Sequence, residues 1–307
     1  MINAPQCISD LATALAPSRG YNSTRAAGIS LFRADASISN LPKLHPAGIL
    51  FVCQGEKQLT CDVNVHIVDT SRYMLTSAPL AFRVDAKASP AKPLLAMHVA
   101  LEQSTVIEIA KEIDRCRPTV TPRRQATCHA MGQVDEILSE LLHRILKVLH
   151  SPLDSAILIP PLIRELHLRI LQRNDGDAIV AGLRGQGPRG RVLSTARSIL
   201  QDASASISVP ALAASAELSV SSYHSHFHSL FGCGPLQYLK AARLHAAHDM
   251  LGSSNLSIGE ISAVVGYSGP WQFSREFRRY FGRTARNESK LMRSSSSDID
   301  LGRKVKA

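Results

Sequence analysis

The stretch from Ser257 to Gly282 (SIGEISAVVGYSGPWQFSREFRRYFG) restricts the possible folds more than any other part of the chain. Ser257 and Glu260 have the S-x-x-E spacing of a capping box, which satisfies free backbone N–H groups at the start of a helix. Apolar residues then recur at helical spacing as far as Gly266, a residue type that ends helices in a left-handed turn. The pattern predicts a short helix that begins after Ser257 and ends at Gly266.

A second helix is predicted directly after that turn, with Ser268 as its cap and Pro270 in its first turn. Its apolar side chains recur at i, i+4, i+7 and i+8 and form one stripe, made of Phe273, Phe277, Tyr280 and Phe281. At 100° per residue, Gln272, Arg275 and Arg279 lie together on a different face. Two short helices joined by a tight turn are typical of a helix-turn-helix. A surface hairpin with a solvated basic face would have the same pattern.

The series I-x-E-I-x-x-V-V-G-Y-x-x-x-x-Q-F-S-R-E-F-R-R-Y-F-G in this stretch resembles the second helix-turn-helix of the AraC/XylS family of bacterial transcription regulators. The resemblance extends over nearly all of residues 189–293 and implies a second such unit upstream. There Ser208 and Pro210 open the first helix and Ser219 caps the recognition helix, whose core stripe is formed by Tyr223, Phe227, Leu230 and Phe231. The resemblance also implies that the helix within GPLQYLKAARLHAAHDML holds the recognition helices about 34 Å apart, in successive major grooves. The residues of this helix expected to point inward are Leu236, Leu239, Leu244, Ala247 and Leu251.

Candidate DNA-contacting residues follow for each recognition helix. In the first unit, helical spacing places four side chains on one face: Ser221, His224, Ser225 and His228. In the second unit, the resemblance places base contacts at Trp271, Gln272, Ser274 and Arg275. Arginine can bind guanine through two hydrogen bonds and glutamine can bind adenine in the same way. Arg278, Arg279, Arg283 and Lys240 are interpreted as phosphate contacts or solvated charges, and Trp271 as a groove contact or a core residue.

The first unit departs from the family pattern. Ser225 and His228 stand where the family usually carries Arg or Lys, and Glu217 occupies a turn position where Gly is common. A DNA-binding module with a decayed first helix-turn-helix is therefore an alternative. The group His224, His226 and His228 has the spacing of metal ligands on a helix but no third carboxylate or thiol at helical spacing, so no metal site is predicted.

Charge and composition agree with a DNA-binding regulator. The chain of 307 residues has a formal net charge of +10, and residues 189–293 hold 12 Lys/Arg against 6 Asp/Glu, which favours a polyanionic partner. Its six cysteines are scattered without a C-x-x-C pair, and neither a signal-peptide pattern nor an apolar run of membrane-spanning length is found. We expect a cytoplasmic protein without a membrane segment.

Residues 21–117 have a different texture, with strand-length apolar runs separated by turn residues, as in a β-sandwich or barrel. The pieces RAAGISLFRAD, GILFVCQGEKQ, RYMLTSAPL and SPAKPLLAMHVALE resemble the sensor domain of one AraC/XylS subgroup, which implies a cupin-like β-barrel. Its histidines, His45, His66 and His98, are isolated from one another, unlike the ligand set of metal cupins. We therefore predict no catalytic residues, no cofactor and no enzyme, against the alternative of a metal-dependent cupin enzyme with an appended DNA-binding domain.

The predicted fold class is α+β and multidomain: a cupin-like barrel, a helical linker and an all-α domain with two helix-turn-helix motifs. The predicted divisions are a flexible leader (1–20), a sensor domain (21–117), a linker with a helical pair (118–188), a DNA-binding domain (189–293) and a polar tail (294–307). The resemblance implies an activator that binds double-stranded promoter DNA and RNA polymerase, responds to a small-molecule effector, and leaves homodimer formation open.

Overall fold

The computed structural model describes residues 4–116, 125–173, 176–205 and 207–292. Within those ranges, ten strands form one antiparallel sheet with the order β1-β2-β9-β4-β7-β6-β5-β8-β3, and β10 pairs with β7. The strands are β1 (Gly20–Ser23), β2 (Ile29–Ala34), β3 (Ile38–His45), β4 (Gly48–Gln54), β5 (Glu56–Cys61), β6 (Asn64–Asp69), β7 (Arg72–Thr76), β8 (Leu80–Ala86), β9 (Leu94–Ala100) and β10 (His129–Gln133).

Helices precede, interrupt and follow the sheet. They are α1 (Ala4–Leu15), α2 (Gln103–Cys116), α3 (Glu136–Val148), α4 (Pro152–Leu171), α5 (Gly176–Leu183), α6 (Gly187–Gln201), α7 (Val209–Ser215), α8 (Val220–Phe231), α9 (Pro235–Ser253), α10 (Ile258–Val264) and α11 (Pro270–Phe281). None of these described helices carries an apolar stretch long enough to cross a membrane. The predicted mixed fold, β-rich first and helical afterwards, is confirmed.

The sheet separates two hydrophobic cores. Successive side chains of a strand point to opposite faces, and in β4 both sets are buried. Ile49 and Phe51 belong to a first core with residues of α1 to α5. Leu50 and Val52 belong to a second core, which we call the shared core because it also contains residues of helices α6 to α9. The sheet is therefore covered by N-terminal and linker helices on one face and by C-terminal helices on the other.

A third core lies at the C-terminal end of the described chain. It is built from the second half of α9 together with α10, α11 and the residues just after them. Leu244 and Leu251 contribute from α9, whereas Tyr238 and Leu239 at the start of the same helix belong to the shared core. Helix α9 thus joins two separate cores.

Several boundaries differ from the sequence expectations. The expected flexible leader contains helix α1, because Ile8 and Ala12, one helical turn apart, are buried in the first core. The region expected to be a linker contributes β10, in which Ala130 is paired with Leu75 of β7. It also contains helices α3, α4 and α5. Residues 1–3, 117–124, 174–175, 206 and 293–307 lie outside the described residues, and they include the start of the expected linker and the whole of the expected polar tail.

Candidate DNA-binding site

Helices α10 and α11 form the helix pair expected from Ser257 to Gly282, which we call the second pair. The capping box is present: the Ser257 Oγ accepts a hydrogen bond from the Glu260 N–H at 3.2 Å, and the Glu260 carboxylate accepts one from the Ser257 N–H at 2.7 Å. Gly266 follows α10 with φ +85°, and a Cβ there would lie 2.6 Å from the Ser204 carbonyl oxygen. This turn therefore requires glycine. The predicted cap of α11 is wrong by one residue, because the N-cap is Gly269 and not Ser268.

The inner face of α11 is aromatic. Phe273 and Phe277 are fully buried, and Tyr280 and Phe281 pack against the same core while remaining partly exposed. One polar residue on this side was missed by sequence reasoning. Glu276 is buried, and its carboxylate accepts hydrogen bonds from the Lys240 ammonium at 3.1 Å and the Tyr267 hydroxyl at 3.0 Å.

Glu276 fixes the position of α11 against α9 and the turn. Burial alone would raise its pKa, but the hydrogen bonds from Lys240 and Tyr267 lower the pKa of the carboxyl below its usual value. Lys240 was interpreted as a phosphate contact or a solvated charge, whereas the structure places it in this ion pair. The sequence did contain a signal for the burial of Glu276, namely its spacing. It lies three residues after Phe273 and next to Phe277, which places it beside the apolar stripe of the helix.

The outer face of α11 carries the predicted contact residues. Trp271 is 72% exposed, which excludes the core alternative for this side chain. The Arg275 guanidinium lies 4.7 Å from the centre of the Trp271 ring, a cation–π distance. Ser274, Arg275, Arg278 and Arg279 are exposed and Gln272 is half-buried. The Ser274 hydroxyl donates to the Pro270 carbonyl oxygen at 2.8 Å, so its proton is already engaged within the helix.

Helices α7 and α8 form the first pair. Ser208 and Ser219 cap them as predicted, each accepting a hydrogen bond from an N–H three residues later. Glu217, in the turn, adopts a left-handed conformation with φ +54°, the position at which Gly266 stands in the second pair. Four apolar side chains of α8 are buried as expected, namely Tyr223, Phe227, Leu230 and Phe231.

The outer face of α8 is polar but carries no arginine or lysine. The predicted residues Ser221, His224, Ser225 and His228 are all exposed on this face, and His226 is half-buried. The structure thus brings the four predicted side chains onto one surface. In the parts of the chain that are described, no group of three or more His, Cys, Asp or Glu side chains is arranged to hold a metal ion.

The inner side of the first pair contacts the sheet directly. The Tyr238 hydroxyl at the start of α9 donates to the Pro79 carbonyl oxygen at 2.7 Å. The Cys128 thiol, just before β10, donates to the Leu230 carbonyl oxygen at the end of α8, also at 2.7 Å. Neither contact was predicted from the sequence. They attach α8 and α9 to the N-terminal region from the side opposite the polar face.

Helix α9 connects the two pairs. It has 19 residues, which corresponds to about 28 Å at 1.5 Å per residue. The predicted inward residues Leu239, Leu244, Ala247 and Leu251 are buried. Leu236 was also expected to point inward, but it is 51% exposed, because Pro235, Tyr238 and Leu239 occupy the inner face of the first turn.

Comparison with known proteins matches both halves of the chain. Residues 25–178 match the model of the AraC-type transcriptional regulator N-terminus, and residues 212–290 match a helix-turn-helix domain. The lactose operon transcription activator of Staphylococcus xylosus is 37% identical over 67 residues, which is 20% of this chain. The match spans only about a quarter (24%) of that activator's length.

Two solved structures of ToxT from Vibrio cholerae have a similar fold. An apo variant superposes with a TM-score of 0.57 and 8% identity, covering 89% of this chain and 100% of ToxT. ToxT bound to (E)-4-(8-methylnaphthalen-1-yl)but-3-enoic acid gives a TM-score of 0.58 and 8% identity, covering 86% of this chain and 98% of ToxT. At this identity the likeness concerns the fold alone.

The family matches are to transcription regulators rather than to enzymes. The N-terminal family model covers half of the chain, and the helix-turn-helix match covers both helix pairs and the helix α9 between them. The chain therefore belongs to the AraC family of transcriptional regulators, with an AraC-type N-terminal region followed by a helix-turn-helix DNA-binding domain.

Proposed function

We propose that this chain controls transcription by binding promoter DNA through both helix pairs, each acting as a helix-turn-helix. The observation that carries this proposal is the two-sided construction of α11. Phe273 and Phe277 bury one side, while Arg275, Arg278 and Arg279 stand exposed on the other. An exposed basic face on a capped helix suits the major groove of DNA.

The residues of α11 divide between reading bases and positioning. Arg275, held over the Trp271 ring, is oriented for two hydrogen bonds to guanine O6 and N7. Gln272 is the candidate for adenine, although its amide oxygen already accepts a hydrogen bond from Ser268 at 3.4 Å. Arg278 and Arg279 bind phosphates, which fixes register without specifying sequence. Ser274 contributes through its lone pairs and Trp271 through its exposed ring.

The first pair supplies a weaker contact through Ser221, His224, Ser225 and His228. Hydroxyl and imidazole groups can bond to base edges, but they are not permanently charged as arginine is and therefore attract phosphate less. Helix α9 spaces the two recognition helices, and its length of about 28 Å is close to the roughly 34 Å between successive major grooves on one face of B-DNA.

The N-terminal region regulates this binding in response to a small-molecule effector. Support comes from the shared core, which joins the sheet to the first pair, and from the ToxT fold, which has been seen with a bound organic acid. We further propose a cytoplasmic regulator that contacts RNA polymerase and activates transcription, and we leave homodimer formation open. Its proposed divisions are a cupin-like sensor domain over residues 21–117, a connecting region over 118–188, a DNA-binding domain over 189–293 and a polar tail over 294–307.

Footprinting of the full chain on DNA upstream of its own and neighbouring genes, at physiological salt, tests this proposal. The full chain is needed because the first pair shares its core with the sheet. We expect protection of roughly 20 base pairs covering two successive major-groove segments. Arg275→Ala should remove the segment read by α11, while Arg25→Ala, an exposed arginine of the N-terminal region, should leave the footprint unchanged. Absence of any specific protection would contradict the proposal.

A second candidate is favoured by the outer face of α8, which lacks fixed positive charge. In this version the first helix-turn-helix has decayed as a DNA reader, and the first pair only transmits the state of the sheet to the second pair. The same footprint separates the two versions. A single protected segment that is lost in Arg275→Ala supports the decayed version, and two segments exclude it.

A further inference from the structure

A small cavity lies inside the sheet on the face that packs against the C-terminal helices. Measured as the room available to the centres of water molecules, its volume is about 40 Å³, against about 10–15 Å³ needed for one water. Its walls combine three basic side chains, Lys57, His45 and His98, with three apolar ones, Phe32, Leu50 and Ala96. The space is sufficient for a small polar group with a short hydrocarbon part.

Lys57 is the most unusual residue of this cavity. In β5 it alternates with buried Leu59, a pattern that directs both side chains into the shared core. Only 4% of Lys57 is exposed, and it forms no ion pair with any carboxylate in the described ranges. Its Nζ lies 5.4 Å from the centre of the Phe32 ring. Burial, reinforced by the charge of Lys43, lowers the pKa of Lys57 to about 7. A buried ammonium without a counter-ion destabilises the fold.

Two histidines add unused hydrogen-bonding capacity to the same cavity. Among the described residues, none is a hydrogen-bond partner of the buried Nε2 atoms of His45 and His98. The His98 ring also forms a hydrogen bond with the backbone of Pro46, which engages its one N–H. Burial and the nearby charge of Lys57 lower the pKa of both rings, so that they are neutral at physiological pH. A neutral imidazole that carries its proton on Nε2 is a donor, and a buried donor left unpaired costs about 1–3 kcal/mol.

We propose that this cavity is an effector site that binds the carboxylate of a small organic acid, with Lys57 as its counter-ion and His45 as a hydrogen-bond donor. The inference rests on the proposed function, in which the N-terminal region regulates DNA binding. One buried ammonium matches one monovalent anion, and the apolar walls fit the hydrocarbon part of the acid. A phosphate would bring more charge and more acceptor atoms than these walls satisfy.

The cavity is placed to influence α9. Tyr21 lines it and lies under the Lys43 ammonium, whose Nζ is 4.7 Å from the centre of the Tyr21 ring. Both Tyr21 and Lys43 interact electrostatically with Asp249 of α9. Helix α9 joins the two helix pairs and sets their spacing. An acid bound beside Lys57 therefore places its negative charge close to this helix.

Calorimetric titration of the full chain, without DNA, tests the site. The probes are acetate, butyrate and benzoate, with butyramide as the neutral match of butyrate and inorganic phosphate as the competing anion. We expect one saturable site per chain for at least one acid, with a Kd of about millimolar or tighter. Butyramide and phosphate should not bind. Lys57→Met should weaken the acid at least tenfold, whereas Lys87→Met, an exposed lysine after β8, should bind it like the wild type.

A folding control accompanies the titration. The pKa of Lys57 is about 7 in the folded chain and about 10.4 in an unfolded one. Between these two pH values the unfolded chain binds more protons than the folded chain does. The wild type therefore loses stability as the pH falls through this range. Lys57→Met removes that loss and should be at least as stable as the wild type at pH 7. Ala96→Val, which narrows the cavity and retains Lys57, is a second variant that should weaken the acid.

Three results would overturn the assignment: no acid binds at millimolar concentration, the acid binds equally well to Lys57→Met, or butyramide or phosphate binds in its place. Because the titration contains no DNA, its failure leaves the footprint on promoter DNA unaffected. A failed footprint likewise leaves acid binding intact, so the two proposals fail separately.

Discussion

The two helix pairs follow one local plan but have different tertiary partners. In the first pair, α7 and α8 bury their apolar side chains in the shared core, together with strands of the N-terminal sheet. In the second pair, α10 and α11 bury theirs in a core formed with the end of α9. Groups that share a core tend to open together. The comparison therefore indicates that the first pair is coupled to the sheet and that the second pair is largely independent of it.

The outer faces of the two pairs also differ, in their positive charge. The face of α11 carries three exposed arginines, Arg275, Arg278 and Arg279, whereas the face of α8 carries serines and histidines. Fixed positive charge favours DNA affinity, and packing against the sheet favours transmission of its state. We infer that the second pair supplies most of the DNA affinity and that the first pair supplies most of the regulation.

The largest expected effect comes from matched deletions in the two cores. Phe227 of α8 and Phe273 of α11 are both fully buried, and Phe→Ala at such positions costs about 3–5 kcal/mol. We expect Phe227→Ala to increase hydrogen exchange both in the C-terminal helices α6 to α9 and in strands β5 and β8. Phe273→Ala should increase exchange in α10, α11 and the second half of α9, and should leave the strands unchanged. If both variants increased hydrogen exchange over the same helices and strands, the proposed difference between the two cores would be wrong.

Glu276 offers a test confined to the second pair. Glu276→Gln removes the charge that pairs with Lys240, and we expect a loss of about 1.5–3 kcal/mol in the stability of α10 and α11 at pH 7. The folded pKa of Glu276 is lowered, so its contribution is present above the unfolded pKa of about 4.3 and is lost as pH falls through the folded value.

Native-state hydrogen exchange at pH 7 and circular dichroism melts at both pH 7 and pH 3 would check the Glu276 prediction. The difference between variant and wild type should be smaller at pH 3 than at pH 7. The matched control is Glu260→Gln, which alters an exposed capping glutamate and leaves the Lys240 ion pair in place. A difference that stays constant with pH would mean that the charge of Glu276 does not stabilise the pair.

On DNA, the two outer faces should be unequal. Arg275→Ala is expected to weaken specific binding by about 1–3 kcal/mol, roughly 5- to 150-fold, because it removes a two-bond contact to a base. Ser225→Ala in α8 should weaken binding less than Arg275→Ala does, by roughly 2- to 12-fold at most, since a single neutral hydrogen bond contributes about 0.5–1.5 kcal/mol. Fluorescence anisotropy with the footprinted duplex at fixed salt measures both. A larger loss from Ser225→Ala would reverse the assignment of roles.

The smallest effect is expected at the turn of the first pair. Glu217→Gly relieves a left-handed conformation that costs a residue with a side chain about 1–2 kcal/mol, but glycine gains about 0.5–1 kcal/mol of entropy in the unfolded chain. The exposed pair of Glu217 with Arg191, 3.7 Å apart, contributes little. Thermal melts should show a change in stability of no more than about 1 kcal/mol, in the stabilising direction. A clear loss would mean that Glu217 has another role.

Local features were predictable from the sequence because they depend on residues close in the chain. The capping serines Ser208, Ser219 and Ser257 form the expected hydrogen bonds, and the aromatic stripes of α8 and α11 are buried as their spacing predicted. The outward faces of both helices follow from the same periodicity. Ser268 and Leu236 were misassigned at helix ends, where periodicity constrains a residue least.

Features that depend on distant residues were decided only by the tertiary structure. Pairing of β10 with β7 and burial of α1 were not predicted, because both depend on contacts with segments far away in the sequence. From the sequence alone, Lys57 is an ordinary polar residue of a strand. It is buried beside His45 and His98 because strands β5, β3 and β9 meet at the cavity.

The sequence by itself determined that this chain has two capped helix pairs, a basic outer face on the last of them and the motifs of the AraC family. Each of these follows from side chains within a few helical turns of one another. The tertiary structure alone decided that the first pair shares a core with the sheet, that Glu276 joins α9 to α11, and that Lys57 lies buried with no counter-ion among the described residues. These depend on which surfaces meet, and that is settled by the packing of the whole chain.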